Sequence, residues 1–343
     1  MLFLDSFEMF INATAVPYIR CGETAYAFPE HKLIVHLVAL GRFIGDNQSN
    51  RNEIVLDGEA LSIDPAAYEH LFLYEDRWFS GGMVIRKRLL AMLGQFKSLF
   101  ARKCKILAAE EFIDLFANAT LPEKLITKIG EFYDYNALLL KIKRGKASSK
   151  AVMPKSLRAT ALNVYIRLIS DFLDYNHSYG ASKCSFRYML LYREEIVAVA
   201  TFSSPKIINR IVSDNSSKEI SLSVRSYEWV RYASLPDIRV IGGMGKLLKS
   251  FLRDIEAVNL PVEVMSYSDN EWSSGRVYEQ LGFTLAGKRK PVDYYVDTKT
   301  YKRYNLRQLG LMMATSGGNV TQSGEFCKIC NRGSRKFLLM LSN

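Results

Sequence analysis

Between Ile220 and Tyr267 the sequence passes through an alternating stretch, a glycine-rich turn, a one-faced helix and a second apolar stretch. Ile220 to Tyr232 alternates as a long strand does. Gly242-Gly243-Met244-Gly245 then opens a helix with Leu247, Leu248, Phe251, Leu252 and Ile255 on one face and Lys246, Lys249 and Arg253 off it. Pro261 to Tyr267 reads as the next strand. This strand–turn–helix–strand unit points to an α/β class with an α+β mixed sheet.

The flanking sequence extends the pattern. Phe186 to Tyr192 and Ile196 to Phe202 flank Arg193-Glu194-Glu195 and predict a β-hairpin. Ser273 to Gln280 predicts a short helix, and Phe283 to Val296 a final hairpin, so the expected order is β-β-β-α-β-α-β-β. Upstream, Leu162, Val164, Tyr165, Leu168, Ile169, Phe172 and Leu173 supply one face of a helix. Ile85, Leu89, Leu90, Met92, Leu93, Phe96 and Leu99 recur at helical spacing from Val84 to Phe100, with Arg86, Lys87 and Arg88 beside them. An acidic helical stretch, Glu110-Glu111-Phe112-Ile113-Asp114, comes after Ala101-Arg102-Lys103-Cys104-Lys105. The expected segments are 1–76, a small mixed α/β region; 77–174, basic and mainly helical with an inserted segment and a linker; 175–300, the sheet-forming domain; and 301–343, an extension.

A formal net charge of +11 favours polyanionic partners, because lysine and arginine that meet phosphates release condensed counterions. The plainer reading is a solvated basic surface. The charge is clustered: Lys141, Lys143, Arg144, Lys146, Lys150, Lys155 and Arg158 fall in one stretch with no acidic residue. Gly145, Ser148, Ser149 and Pro154 in that stretch predict an exposed loop or linker, either a phosphate-contacting arm or a soluble connector. With Arg86, Lys87, Arg88, Arg102, Lys103 and Arg231 these residues are the candidate nucleic-acid contacts. No run approaches the about 18 apolar residues of a membrane helix. No secretory signal is visible, and the five scattered cysteines fit reduced thiols in the cytoplasm. Cys327-Lys328-Ile329-Cys330 supplies two ligands where structural zinc takes four, so no metal is expected.

A glycine-rich turn between strand and helix makes an anion cradle: glycine lets the backbone approach closely, and unpaired N–H groups face the phosphate. The same turn also serves plain strand-to-helix packing. Gly243-Met244-Gly245-Lys246-Leu247-Leu248 together with Tyr278-Glu279-Gln280-Leu281-Gly282-Phe283 resembles the GNAT superfamily of acyl-CoA N-acyltransferases. Those proteins hold acyl-CoA pyrophosphate on a Gln/Arg-x-x-Gly-x-Gly/Ala turn and carry a Tyr-Glu-x-Leu-Gly-Phe segment after the next strand. The leading polar position is Val240 here, with Arg239 one residue away. The resemblance implies a GNAT-like fold with an additional N-terminal α/β region and a helical insertion. It also implies acyl-CoA or acetyl-CoA held by Val240, Ile241, Gly242, Gly243, Gly245 and Lys246, and Tyr278 protonating the departing thiolate. Packing of Tyr278 with Phe283 is the structural alternative.

A longer set of segments is similar to a phage group in which a GNAT-like domain accompanies homing-endonuclease-like proteins, and more distantly to Mom-type DNA-modification proteins. It includes Arg86 to Leu90, Asn176-His177-Ser178-Tyr179-Gly180, Tyr227-Glu228-Trp229-Val230-Arg231, Ser266 to Asp269, Trp272 to Gly275, Tyr294-Tyr295 and Gly333 to Phe337. This implies DNA as partner in a phage-infected host cytoplasm, with Trp229 and Trp272 among the aromatics that engage a displaced base. Glu228 and Arg231 stand three apart on a strand, so they are expected on opposite faces, and Glu228 is the candidate general base or else a surface carboxylate. His177 follows a helix and either takes a proton near neutral pH or hydrogen-bonds locally. Asp269 ends a strand, where α/β sites gather, or else caps a helix. Three functions follow: a GNAT-like transferase modifying a DNA base amine, a non-catalytic GNAT-fold DNA-binding accessory protein, and an N-acetyltransferase for a protein or small amine.

Overall fold

The computed structural model describes residues 2–41, 64–148, 154–213, 219–255, 260–316 and 326–341. Packing groups the chain into two units: Met1–Gln95 with Tyr267–Leu338, and Phe96–Ser266 with Leu339–Asn343. Among the described residues no helix is long and apolar enough to cross a membrane.

The second unit is built on a mixed sheet. Its strand order is Val262–Asp269, Glu219–Ser234, Glu195–Phe202, Phe186–Tyr192 and Lys105–Ala108, with Lys206–Ser213 pairing the first half of Glu219–Ser234. Only the contact between Glu219–Ser234 and Val262–Asp269 is parallel in this set, because the helix Gly243–Asp254 provides the crossover between them. Phe186–Tyr192 and Glu195–Phe202 form the expected hairpin. Arg193 and Glu194 at its tip both take positive φ (48° and 67°), the backbone of a two-residue turn that matches strand twist. Side-chain alternation gives the sheet two covered faces. Met189, Leu191, Val199 and Ala233 meet a helical layer that includes Phe112, Phe116, Leu125, Ile129, Val164, Tyr165 and Leu168. The opposite face is aromatic: Phe186, Phe202 and Tyr227 surround Phe251 of Gly243–Asp254, and Phe202 and Phe251 stack at 3.9 Å. The class is mixed α/β, with a helical segment at 109–148 between the strands Lys105–Ala108 and Phe186–Tyr192.

The first unit contains a four-stranded sheet ordered Ile19–Arg20, Ala25–Phe28, Leu33–Val38, Glu69–Tyr74, the last pair parallel. One face (Tyr26, Phe28, Val35, Leu71, Leu73) packs against Phe3, Phe7 and Ile11 of the helix Phe3–Asn12, together with Trp78, Ile85 and Leu89. Phe72 and Tyr74, on the other face, meet Tyr294, Val296 and Ile329. Those three belong to a small antiparallel sheet of Arg303–Tyr304, Asp293–Asp297 and Phe326–Cys330.

Three expectations are corrected. The helical spacing from Val84 to Phe100 covers two elements, the helix Gly82–Met92 and the strand Lys97–Phe100, separated by Gly94 at φ +73°. A left-handed glycine just past the last turn ends a helix, whatever the apolar spacing beyond it. The basic 141–158 stretch is no loop where it is described: it belongs to the helices Tyr135–Ser148 and Lys155–Asn176, the latter opening after Pro154, which is preorganised to start a helix. Residues 149–153 lie outside the described residues. Phe283 to Val296 is not a hairpin. Thr284–Arg289 pairs with Ser334–Leu341, and Asp293–Asp297 pairs with Phe326–Cys330, so each strand takes its partner from the C-terminal segment rather than from the other.

Candidate active site

The parallel pairing in the second unit runs from Arg225 opposite Val262 to Glu228 opposite Met265. One residue later the strands are joined by a side chain, Ser266 Oγ donating to the Trp229 carbonyl at 3.2 Å. At this point Glu219–Ser234 bulges: Trp229 lies opposite Phe202, while Arg231 lies opposite Thr201, so Val230 is an extra residue. A bulge of this kind re-aims side chains and ends pairing. It also corrects the expected relation of Glu228 and Arg231, because the extra residue cancels the odd spacing and brings both to the face that carries Met189, Val199 and Ala233. Burial pulls the Arg231 guanidinium down, and the nearby Glu228 charge works against that. The Glu228 backbone is held at both ends by Ser203, whose hydroxyl accepts the Glu228 N–H at 2.9 Å and whose N–H donates to the Glu228 carbonyl at 2.9 Å. Trp229 is 3% exposed, beside Phe202, with its indole N–H on the Arg231 carbonyl, so it is a core residue rather than a base-stacking surface.

The glycine turn joins Ile238–Ile241 to the helix Gly243–Asp254. Gly242 takes φ +76°, a conformation glycine adopts without strain, and no side chain caps the helix that starts there. The first-turn N–H groups of Gly243, Met244 and Gly245 therefore have no intrahelical acceptor and no cap, which leaves the electropositive helix end available to an anion. Gly243 itself serves packing. A Cβ there would lie 2.9 Å from both the Tyr232 hydroxyl and Val240 Cγ1. Val240 is buried and Ile241 exposed. Lys246 is engaged elsewhere: its ammonium donates to the carbonyls of Ala101 at 3.0 Å and Cys104 at 2.5 Å, tying the turn to the segment after Lys97–Phe100. That segment's Arg102 and Lys103 are exposed, with Arg102 5.0 Å from the Phe100 ring centroid.

The turn after Lys155–Asn176 returns to the same face of the sheet. His177 Nδ1 accepts the Tyr179 N–H at 3.1 Å, which puts the neutral ring's proton on Nε2. Arg231 Nε donates to the Gly180 carbonyl at 3.0 Å, and its guanidinium lies 5.9 Å from the Tyr179 ring centroid. The structure thus brings the His177 turn, Arg231 and Glu228 together. It adds three residues that the sequence reading missed. Arg187 and Arg231 are the direct cross-strand neighbours of Thr201, one on each side, so the three form a row across the sheet. Cys184 lies against this row. Burial pushes its thiol up, while Arg187, the Thr201 hydroxyl and Arg231 pull it down. The signal was present in the hairpin, yet the turn register alone pairs Arg187 with Ala200. A shift between Leu190 and Leu191 moves its partner to Thr201.

In the first unit, Tyr278 lies on the short helix Arg276–Gln280, its ring stacked on Phe337 (5.2 Å) and edge-on to Phe283 (5.6 Å). Its hydroxyl reaches the Tyr267 carbonyl at 3.5 Å. Asp269 shapes a turn: its carboxylate accepts the Glu271 N–H at 2.9 Å, and its carbonyl accepts the N–H groups of Trp272 and Ser273. Trp272 is buried, with the Arg88 guanidinium 4.3 Å from its centroid, and Arg86 lies over Trp78 at 4.8 Å. These two arginines therefore cover tryptophan rings. Lys87 between them is half-buried. The side chains of Lys143, Arg144 and Lys146 lie outside the described residues; Arg158 pairs with Glu110 at 2.6 Å. Glu271, unremarked in the sequence, is buried against Arg303, which also grips Asp76. Burial raises its carboxyl to about 7, with Arg303 opposing and Asp269 adding to the shift. Cys327 and Cys330 stand three apart on one strand, so their thiols point to opposite faces. Among the described residues no cluster of metal-ligating side chains occurs.

No family model matches this sequence, and no curated protein matches it. Among solved structures, the chain is similar to a GNAT family acetyltransferase from Elizabethkingia anophelis with acetyl-CoA bound. The identity is 14% over 46% of this chain and 76% of that one, with a TM-score of 0.25. It is also similar to a protein assigned to the GNAT family of acetyltransferases from Desulfovibrio desulfuricans, at 10% identity over 70% of this chain and 98% of that one, TM-score 0.27. At TM-scores this low the likeness decides nothing, and the fold is read from the chain's own strand order and register.

Proposed function

We propose that the chain is a GNAT-like N-acyltransferase that uses acyl-CoA or acetyl-CoA and modifies a DNA base amine in a phage-infected cell. The observation that carries this reading is the uncapped helix N-terminus after the glycine turn, on the crossover between the parallel strands Glu219–Ser234 and Val262–Asp269. The open helix end suits a pyrophosphate. The donor fits the N–H groups of Gly243, Met244 and Gly245, behind an exposed Gly242. Lys246 is not counted among its ligands, since both nearby carbonyls hold it.

When bound, acyl-CoA supplies an activated acyl thioester. Glu228 would take the amine proton, directly or through water; the proton for the leaving sulfur is assigned to Tyr278 by the likeness of its segment alone. A net charge of +11 and the exposed Arg102 and Lys103 beside the turn support a polyanionic acceptor. One observation favours the accessory-protein reading: Gly243 is filled from within by Tyr232 and Val240, so part of the cradle serves packing.

Calorimetric titration of acetyl-CoA into wild type and Gly245→Glu separates the two. A carboxylate in the first turn satisfies the helix end and repels a pyrophosphate, so the variant stays folded and loses donor binding by about tenfold or more, worth about 1.4 kcal/mol. Equal affinity in both proteins, or no binding to wild type, would remove the donor from this turn.

A further inference from the structure

The row Arg187–Thr201–Arg231 is expensive as a purely structural feature. Both guanidiniums are partly buried, and among the described residues neither forms an ion pair. Arg187 donates to the carbonyls of Cys184 at 2.7 Å and Ser185 at 3.5 Å. Arg231 donates to those of Gly180 at 3.0 Å and Val230 at 2.9 Å. Each guanidinium has five N–H donors, so each keeps donors beyond these bonds. Buried charge without a counter-charge is costly, and partial burial of two like charges on one sheet face adds repulsion. Thr201, between them, is fully buried and its hydroxyl has no aligned hydrogen-bond partner; the polar group it acts on is the Cys184 thiol. The fields of both arginines overlap on that thiol. The Glu228 charge opposes the effect of burial on Arg231.

We propose that Arg187, Thr201 and Arg231 form an oxyanion subsite that holds a phosphate ester of the acceptor, in the same face of the sheet as Glu228. Neighbouring strands lie about 4.8 Å apart, so the two arginine stems stand about 10 Å apart, a span their side chains close around one phosphate with the threonine hydroxyl beneath it. The two guanidiniums give the planar, forked donors that phosphate oxygens accept. The word acceptor rests on the transferase reading; the anion site does not, because binding needs no donor and no turnover.

Alkylation of Cys184 by iodoacetamide reports on the subsite. Labelling of the full chain is followed by peptide mass spectrometry in inorganic phosphate and in chloride of matched ionic strength, with exposed Cys330 as the internal reference. Phosphate at about ten times its dissociation constant is expected to slow Cys184 labelling about tenfold, by mass action, and to leave Cys330 unchanged. A deoxynucleoside 5′-monophosphate protects likewise, and the matching nucleoside does not. Protection by a single-stranded oligonucleotide at lower concentration than the monophosphate assigns the phosphate to a strand; protection by the monophosphate alone assigns it to a free nucleotide. Arg187→Gln and Arg231→Gln lose the protection, while Arg231→Lys keeps a weaker, still saturable one. Identical wild-type labelling in phosphate and chloride overturns the proposal, as does full protection in both glutamine variants. Acyl transfer is scored separately, so loss of either result leaves the other readable.

Discussion

Gly275→Ala puts a methyl group where the structure has none to spare. Gly275 takes φ +87°, and a Cβ there would lie 2.4 Å from two atoms of the Phe337 ring and 3.0 Å from Ser268 Oγ. Phe337 is fully buried and carries the Tyr278 ring on its face. Two costs add. Left-handed backbone costs an alanine about 1 kcal/mol, and overpacking against a rigid buried ring costs about 1–3 kcal/mol. The variant should therefore lose about 2–4 kcal/mol of folding stability, measured by urea denaturation. Only the steric part depends on the ring. In a double-mutant cycle with Phe337→Leu, the combined loss should fall short of the sum by about 1–2 kcal/mol, and the backbone part should persist. Near-ultraviolet circular dichroism should change in Gly275→Ala as Tyr278 shifts, and recover part of the way in the double variant. A loss under about 0.5 kcal/mol, or strict additivity with Phe337→Leu, would refute the packing described around Tyr278.

Burial, with His70 and Arg332 adding to it, holds His36 down to about 3. A depressed histidine destabilises the fold as pH falls below its unfolded value near 6.5, by about 1.4 kcal/mol per unit until the folded value is reached, or about 2 kcal/mol at pH 5. Denaturation at pH 8 and pH 5 should show that loss in wild type and a correspondingly smaller one in His36→Phe; parallel losses would contradict it. Arg210 donates to both oxygens of fully buried Glu263, at 2.9 and 2.7 Å, and Ser226 donates to one of them. Arg210→Met should cost about 3 kcal/mol, the low end for a broken buried pair because Arg210 is partly exposed, and adding Glu263→Met should recover much of it. Lys246→Met should lose about 1–3 kcal/mol of stability through its two carbonyl bonds, yet change acetyl-CoA affinity by less than about threefold. A large loss of affinity with unchanged stability would return Lys246 to the donor site.

Local periodicity made much of the second unit legible before any coordinates. Phe186–Tyr192 and Glu195–Phe202, the helix at Gly243 and the strand after Pro261 each obey a period of two or three to four, and tertiary packing agrees with it. What alternation cannot carry is an inserted residue. The bulge at Val230 puts Glu228 and Arg231 on one face instead of the expected two, and the shift between Leu190 and Leu191 hides the pairing of Arg187 with Thr201. Sequence distance hid other partners. Thr284–Arg289 pairs with Ser334–Leu341, and Lys97–Phe100 pairs with Ile238–Ile241, relations that no local pattern encodes. Basic residues proved the hardest to interpret. Charge says nothing of what lies beside it, and Arg86, Arg88 and Lys246 are each engaged within the fold. Gly243 shows the same ambiguity at the turn, where one glycine serves Tyr232 and its neighbours leave the helix end open.

Nucleoside mass spectrometry tests the proposed transfer most directly. Purified protein is incubated with acetyl-CoA and single-stranded DNA, the DNA is digested, and nucleosides from wild type, Glu228→Gln and Tyr278→Phe are compared. The account predicts a nucleoside heavier by one acetyl group with wild type, strongly reduced in both variants while their folding is retained. An unmodified profile from folded wild type that binds both acetyl-CoA and DNA would contradict it, and would leave the accessory-protein reading, in which the chain holds DNA without transfer.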